Sequence, residues 1–362
     1  METKKIYSSE YGVLDERYVL IKPLDKNEII YKVKDMQDNK EYALKQFSDL
    51  DSYKYEKEIN EEIAKANSSS FIRYITSSVG CLIKDQKKEQ LPYIILELSL
   101  KGDIYSYISC NGANLGLDER NCKILFHKII SVVKDLHKLD IFHRDLKLEN
   151  FLFVGDNFTV KLCDFGVSTK VPRYPNGKLY FLIGERGTDI YKAPEVYKKY
   201  PYSGEKLDVF NLGIILFLLR VAGRGFMSTE CNKKNRCIDD LYSLIRKKKY
   251  DDYWEEIYPH YGDIELSEEF KKIYVKMVAF DPKERPTLEE IYDFEWMKEI
   301  KEIKDSNPIE LRKYEDDLIK ELQRREEIMN NQKKKIIFVL HRLISYKQNL
   351  LFAVFFLINL WL

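Results

Sequence analysis

The stretch His143-Arg144-Asp145-Leu146-Lys147-Leu148-Glu149-Asn150 constrains this chain more than any other. A strand-like run, Thr159-Val160-Lys161-Leu162-Cys163, separates it from Asp164-Phe165-Gly166. Two acids, one amide and one lysine recur here at a spacing that suits phosphoryl transfer. Such a site needs an Asp to hold the attacking hydroxyl. It needs an Asn and a second Asp to hold a divalent cation against phosphate oxygens, and a Lys to neutralise charge as the phosphoryl group moves. Either segment alone could arise by chance, whereas both in this order are specific.

The two segments resemble the catalytic loop and the D-F-G of the eukaryotic protein kinase family. Ala43-Leu44-Lys45 is similar to the A-x-K of that family's third strand. Ala193-Pro194-Glu195 is similar to the A-P-E that closes the activation segment, with Gly187-Thr188 just upstream. Asp208-Val209-Phe210-Asn211-Leu212-Gly213 is similar to the D-x-W-S-L-G of a long buried helix. Arg285 matches the Arg that pairs with the A-P-E glutamate. The likeness runs from about Tyr18 to Trp296. It implies an α+β fold of two lobes: a small, mainly β lobe over about 18–96 and a larger, mainly α lobe over about 97–297. A charged helical tail, 298–335, and an apolar segment, 336–362, would follow the domain at 18–297.

The resemblance further implies a serine/threonine kinase that uses ATP and Mg²⁺, most similar to the calcium/calmodulin-dependent kinase-like group. Asp145 would orient the substrate hydroxyl and accept its proton, and Lys147 would steady the γ-phosphate. Asn150 and Asp164 would coordinate magnesium through oxygen, as a hard cation requires. Lys45 would contact the α- and β-phosphates. Leu24, Ile30, Ala43, Leu152 and Cys163 would line the nucleotide site, with Leu96 as gatekeeper. Glu97 and Ser99 would form the hinge against adenine, and Asp103 would lie near the ribose. Glu149 and Asp103 match positions that in basophilic relatives face Arg, which implies a protein substrate with basic residues before its Ser or Thr. Thr188 would contact Asp145 and Lys147.

Two segments depart from the pattern. The region that should carry a glycine-rich loop reads Leu20 to Ile30 without a single Gly. Glycine lets backbone approach phosphate and adopt positive φ. Asp25 and Asn27 tolerate unusual dihedrals, but Asp25 and Glu28 add negative charge. Weak ATP binding is therefore expected, and a pseudokinase scaffold is the alternative to an active enzyme. The second departure is the helix that should supply a Glu to Lys45. Glu58 fits best by its distance from Phe71-Ile72, whereas Glu56 gives better apolar spacing with Ile59 and Ile63. In the activation segment, Ser168, Thr169, Tyr174, Tyr180 and Thr188 carry hydroxyls. Gly184 stands where many kinases carry a phosphorylated Thr. Arg144 could instead pair with Glu185, a weaker substitute for phosphate.

Patterning supports the two-lobe division. Alternation in Ile30-Tyr31-Lys32-Val33 and in Glu41-Tyr42-Ala43-Leu44 predicts strands, and Pro92 to Glu97 predicts a buried one. Residues 52–66 predict a charged helix, and helical periodicity dominates from Asp118 onward. Lys+Arg 60 against Asp+Glu 59 offers no net field for nucleic acid as a partner. The six cysteines show no metal-site spacing, and the polar Met1 to Lys5 shows no signal region. Reduced thiols in a cytoplasmic protein are the expectation. In the tail, Asn307-Pro308-Ile309-Glu310 predicts a helix start, followed by a stripe of Leu311, Tyr314, Leu318 and Leu322. That helix could dock on the domain, form a short coiled coil or block the site. The apolar run Leu350 to Leu362 is shorter than the about 20 residues that span a bilayer. It could still anchor in a membrane together with residues from Ile336, pack as a helix, or be an artefact of the gene model.

Overall fold

A computed structural model describes residues 9–110, 116–197, 201–222, 237–261 and 264–345. The N-terminal lobe is a closed barrel in the order β1-β2-β3-β4-β6-β5. Its strands are β1 (Val13–Leu14), β2 (Tyr18–Pro23), β3 (Ile30–Asp35), β4 (Glu41–Gln46), β5 (Tyr74–Lys84) and β6 (Lys87–Leu96). Every pairing is antiparallel. The inward faces alternate as a half-buried strand requires, so Tyr18, Leu20, Val33, Leu44, Tyr93 and Ile95 form a small core of their own.

Helix α1 (Leu50–Lys65) lies between β4 and β5. Asp49 caps it by accepting the Ser52 amide at 2.7 Å. Its buried positions, Tyr53, Glu56, Ile59, Asn60 and Ile63, recur at helical spacing and form the stripe that faces the protein.

The C-terminal lobe begins after the hinge with α2 (Ile104–Ile108) and α3 (Glu119–His137). Four short strands follow: β7 (Ile141–Phe142), β8 (Phe151–Val154), β9 (Thr159–Leu162) and β10 (Thr169–Lys170). β8 pairs with β9 and β7 with β10. The remaining helices are α4 (Pro194–Tyr197), α5 (Gly204–Arg220), α6 (Cys237–Arg246), α7 (Tyr250–Tyr261), α8 (Glu268–Met277), α9 (Glu295–Ser306) and α10 (Pro308–Ser345). α5 is buried along nearly its whole length and forms the centre of the lobe, as expected for a helix apolar all round. The expected division at 297/298 falls inside α9. Asn307 and Glu310 form a reciprocal cap at the start of α10. Leu318 and Leu322 are 1% and 0% exposed, with Leu311 and Tyr314 packed beside them. No helix among the described residues is long and apolar enough to cross a membrane. The apolar run beyond Ser345 lies outside the described residues.

Candidate active site

Lys45 comes from β4, where it lies opposite Ile30 on one side and Ile94 on the other. Its ammonium donates to both Glu56 oxygens at 2.8 and 2.7 Å and to Asp164 Oδ1 at 2.8 Å. The glutamate partner is thus Glu56, not Glu58. Glu56 is 2% exposed on the inward stripe of α1, whereas Glu58 is exposed to solvent. The stripe decides the register, and distance along the chain from Phe71 does not. Burial disfavours the charge on Lys45, but Asp164 and Glu56 outweigh it and hold the ammonium pKa above its ordinary value. Burial also opposes ionisation of Asp164, yet Lys45 keeps that carboxyl down at about 2. The Glu56 carboxyl is raised by burial, with Lys45 acting against the shift.

The catalytic loop leaves β7 and is fastened from below. Asp208 on α5, fully buried, accepts the His143 and Arg144 amides at 2.9 Å each and pairs with His137 Nε2 at 2.8 Å. This anchoring role for Asp208 was not read from the sequence. The surrounding motif signalled it, but its partners are 64 or more residues away. Arg144 and Asp164 adopt left-handed φ of 68° and 63°, uncommon for residues with side chains and concentrated at functional positions. His143 is buried against Phe165, ring centroids 5.7 Å apart, and Phe165 against Phe71 at 6.1 Å.

Asp145 Oδ1 accepts the Thr188 amide at 2.6 Å, and its Oδ2 pairs with Lys147 at 3.0 Å. Lys147 also donates to Thr188 Oγ1 at 3.0 Å. Thr188 reaches Asp145 because Gly187 precedes it with φ +94°, and a Cβ there would lie 2.7 Å from the Arg144 carbonyl oxygen. Asn150 is 4% exposed and donates its amide to the Asp145 carbonyl at 2.9 Å. Arg144 does not meet Glu185. Its guanidinium donates to the Tyr202 hydroxyl at 3.2 Å, and that hydroxyl donates to the Gly184 carbonyl at 2.9 Å. Glu185 pairs with Lys192 at 3.1 Å instead. Of the activation-segment hydroxyls, Ser168 is fully buried, whereas Tyr174 and Tyr180 stack on each other at 3.7 Å.

Around this centre, Ala43 and Leu96 are register partners across β4 and β6. Glu97 points its carboxylate to Lys161 at 2.9 and 2.8 Å and to the Arg73 amide. Ser99 donates to the Phe153 carbonyl at 2.7 Å. Asp103 caps α2 through the Ser106 amide and hydroxyl, both at 2.8 Å, and bridges to Leu152 in β8. The Cys163 thiol donates to the Asn150 carbonyl, and burial pushes its pKa up, which makes it a poor nucleophile. Leu24 is exposed, and its amide donates to the Ile30 carbonyl at 2.7 Å. In the glycine-free loop, Asp25 accepts the amides of Asn27, Ile29 and Ile30 at 3.1, 2.9 and 2.7 Å. The left-handed residue there is Glu28, φ 54°, rather than Asp25 or Asn27.

The donor set fits magnesium. Asp164 offers an ionised carboxylate and Asn150 an amide oxygen. No group of three His, Cys, Asp or Glu capable of holding a metal occurs among the described residues. Mg²⁺ is commonly held by one or two protein oxygens with phosphates and water completing its shell.

A protein kinase domain model matches residues 27–297 of this chain. Mouse testis-specific serine/threonine-protein kinase 1 is 30% identical over 205 residues, covering 57% of this chain and 51% of that protein. Mouse testis-specific serine/threonine-protein kinase 2 is 31% identical over the same length, covering 57% and 52%. Human SNF-related serine/threonine-protein kinase is 34% identical over 205 residues, covering 57% of this chain and 24% of that protein. The matched stretch therefore spans about half the length of the first two relatives and a smaller share of the third.

Proposed function

The chain belongs to the protein kinase domain family, and on that premise we propose that it transfers the γ-phosphate of ATP to a Ser or Thr hydroxyl of a protein. The observation that carries this reading is the pairing of Lys45 with both Glu56 and Asp164 above a catalytic loop in which Asp145, Lys147 and Thr188 are mutually bonded. Asp145 aligns the substrate hydroxyl and accepts its proton as the new O–P bond forms and the bond to the ADP oxygen breaks. Lys147 donates to the γ-phosphate oxygens, and Lys45 donates to the α- and β-phosphates. A magnesium ion held by Asn150 and Asp164 would neutralise charge on the transferring group. The exposed Glu149, beside Tyr191 at 3.5 Å, with Asp103, favours a substrate with Arg or Lys before its target, through carboxylate–guanidinium pairing. Among the described residues, the thiols of Cys81, Cys122 and Cys163, none in a disulfide, support a cytoplasmic setting.

One observation favours a second reading, a pseudokinase scaffold: the loop amides of Asn27, Ile29 and Ile30 are given to Asp25 rather than left for phosphate. ATP turnover by the full chain on a peptide panel with Mg²⁺ or Mn²⁺ separates the two. Asp145→Asn should cut turnover by orders of magnitude with little change in nucleotide affinity, and Asp164→Ala should also lose magnesium-dependent binding. Equal activity in both variants and the parent would overturn the residue roles. No turnover in the parent at saturating ATP would favour the scaffold.

A further inference from the structure

The family match ends at residue 297, yet α10, beyond it, is built into the support of the hinge. Arg325 on α10 is 2% exposed. Its Nη1 donates to the Tyr107 and Ile108 carbonyls at 3.2 and 3.4 Å, and its Nη2 to the Gly116 carbonyl at 3.2 Å. Its Nε donates to Glu321 one turn back, at 2.7 Å. Tyr107 and Ile108 are the last residues of α2. The final carbonyls of a helix have no partner within it, and a cation at that end is favoured. Arg325 therefore closes the C-terminal end of α2, whose N-terminal end is closed by Asp103.

The next residue of the tail reaches the hinge itself. Lys101 Nζ donates to the two oxygens of Glu326 at 3.1 and 2.9 Å. Lys101 also lies over the Phe158 ring, 4.8 Å from its centroid. Phe158 meets Tyr107 and Phe153 edge-on at 5.7 and 5.4 Å. The Phe153 carbonyl accepts the Ser99 hydroxyl, and the Phe153 amide donates to the Gly102 carbonyl at 2.9 Å. The Gly102 amide in turn donates to Ser99 Oγ at 3.0 Å. An unbroken set of contacts thus joins the tail to Ser99 and Asp103.

We propose that α10 is a positioning element for the nucleotide: Arg325 fixes α2, Glu326 fixes Lys101, and together they hold the hinge and Asp103 where adenine and ribose bind. This rests on the ATP-binding reading above. Neither residue belongs to the nucleotide site, so both act through the hinge. The Lys101 and Glu326 side chains are 19% and 27% exposed, so their charges can be exchanged at the rim of the contact. Leu318 and Leu322 continue to seat the helix.

The test is ATP affinity of the full chain, measured by displacement of a fluorescent nucleotide, alongside steady-state kinetics and Tm. Glu326→Lys sets two cations against each other. It should raise the Kd and KM for ATP by about fivefold, the scale of a partly exposed ion pair. kcat and the KM for peptide should stay within about twofold, because the catalytic loop is untouched. The double exchange Lys101→Glu with Glu326→Lys should recover part of the lost ATP affinity, because it re-forms the ion pair but not the cation's contact with the Phe158 ring. Arg325→Lys keeps the charge but loses the planar fork, and should also weaken ATP binding without lowering kcat. An unchanged ATP Kd in Glu326→Lys, or no recovery in the double exchange, would overturn the inference alone. A parent that binds no nucleotide would overturn the ATP reading and this inference with it.

Discussion

Glu56 receives the Lys45 ammonium on both carboxylate oxygens, at 2.8 and 2.7 Å, while Glu58, two residues on, faces solvent. A charged hydrogen bond in a site of this kind is worth about 1.5–3 kcal/mol. Glu56→Gln should therefore lower kcat/KM by roughly tenfold to a hundredfold, since about 1.4 kcal/mol is a factor of ten. Glu58→Gln should change it by less than about twofold, as a surface substitution does. Parallel kinetics on the two variants decide the register of α1, and equal losses in both would reject it.

Arg285 and Glu195 form a buried fork, 2.6 and 2.8 Å, that ties α4 to the segment after α8. The Arg285 side chain is fully buried, and it also donates to the Ala279 and Lys206 carbonyls. Removing one partner leaves an uncompensated charge, at about 3–5 kcal/mol. Glu195→Ala should lower the midpoint of urea unfolding accordingly, with no change in slope. Arg285→Lys should recover little, because a point charge cannot replace the fork. A Glu195→Ala protein as stable as the parent would contradict this account.

The family and the two-lobed fold were legible in the sequence, because the motifs around Lys45, Asp145 and Asp164 are local in the chain and each dictates its own backbone. What was not legible depended on which residues a fold brings face to face. Glu56 and Glu58 differ only in the side of α1 they occupy. Arg144 meets Tyr202 rather than Glu185 because an antiparallel bridge, Leu182 with Tyr202, brings that hydroxyl under the catalytic loop. Arg324 and Arg325 are neighbours in one charged helix, yet their side chains are 53% and 2% exposed. Composition cannot tell them apart; only the packing of α10 against α2 does.

On the ATP-binding reading proposed above, the loop between β2 and β3 should hold phosphate weakly. Asp25 occupies the amides of Asn27, Ile29 and Ile30, and its charge repels a polyphosphate, partly screened by salt. Replacing Asp25 and Asn27 with Gly frees those amides and restores close backbone approach. The double variant should show a lower KM for ATP, with a smaller change in kcat, and the gain should shrink as ionic strength rises. Unchanged ATP affinity at low salt would mean that the loop holds phosphate by another geometry.

His127 gives the fold a pH dependence whose sign follows from its burial. The ring is 8% exposed on α3, with Nδ1 2.7 Å from the Tyr292 hydroxyl. Burial, and then the Lys304, Lys128 and Lys134 cations, lower its pKa from 6.5 to about 4. As pH falls below 6.5, the unfolded chain takes up a proton that the folded chain refuses until about pH 4. Stability should therefore decline through that window and level off above it, by at most on the order of 3 kcal/mol from this group. Other groups titrate there too, so the informative quantity is the difference between the parent and His127→Gln. Denaturant unfolding at pH 7 and pH 5 should show the Gln variant losing less stability than the parent. An equal loss in both proteins would mean that His127 titrates alike in the folded and unfolded states.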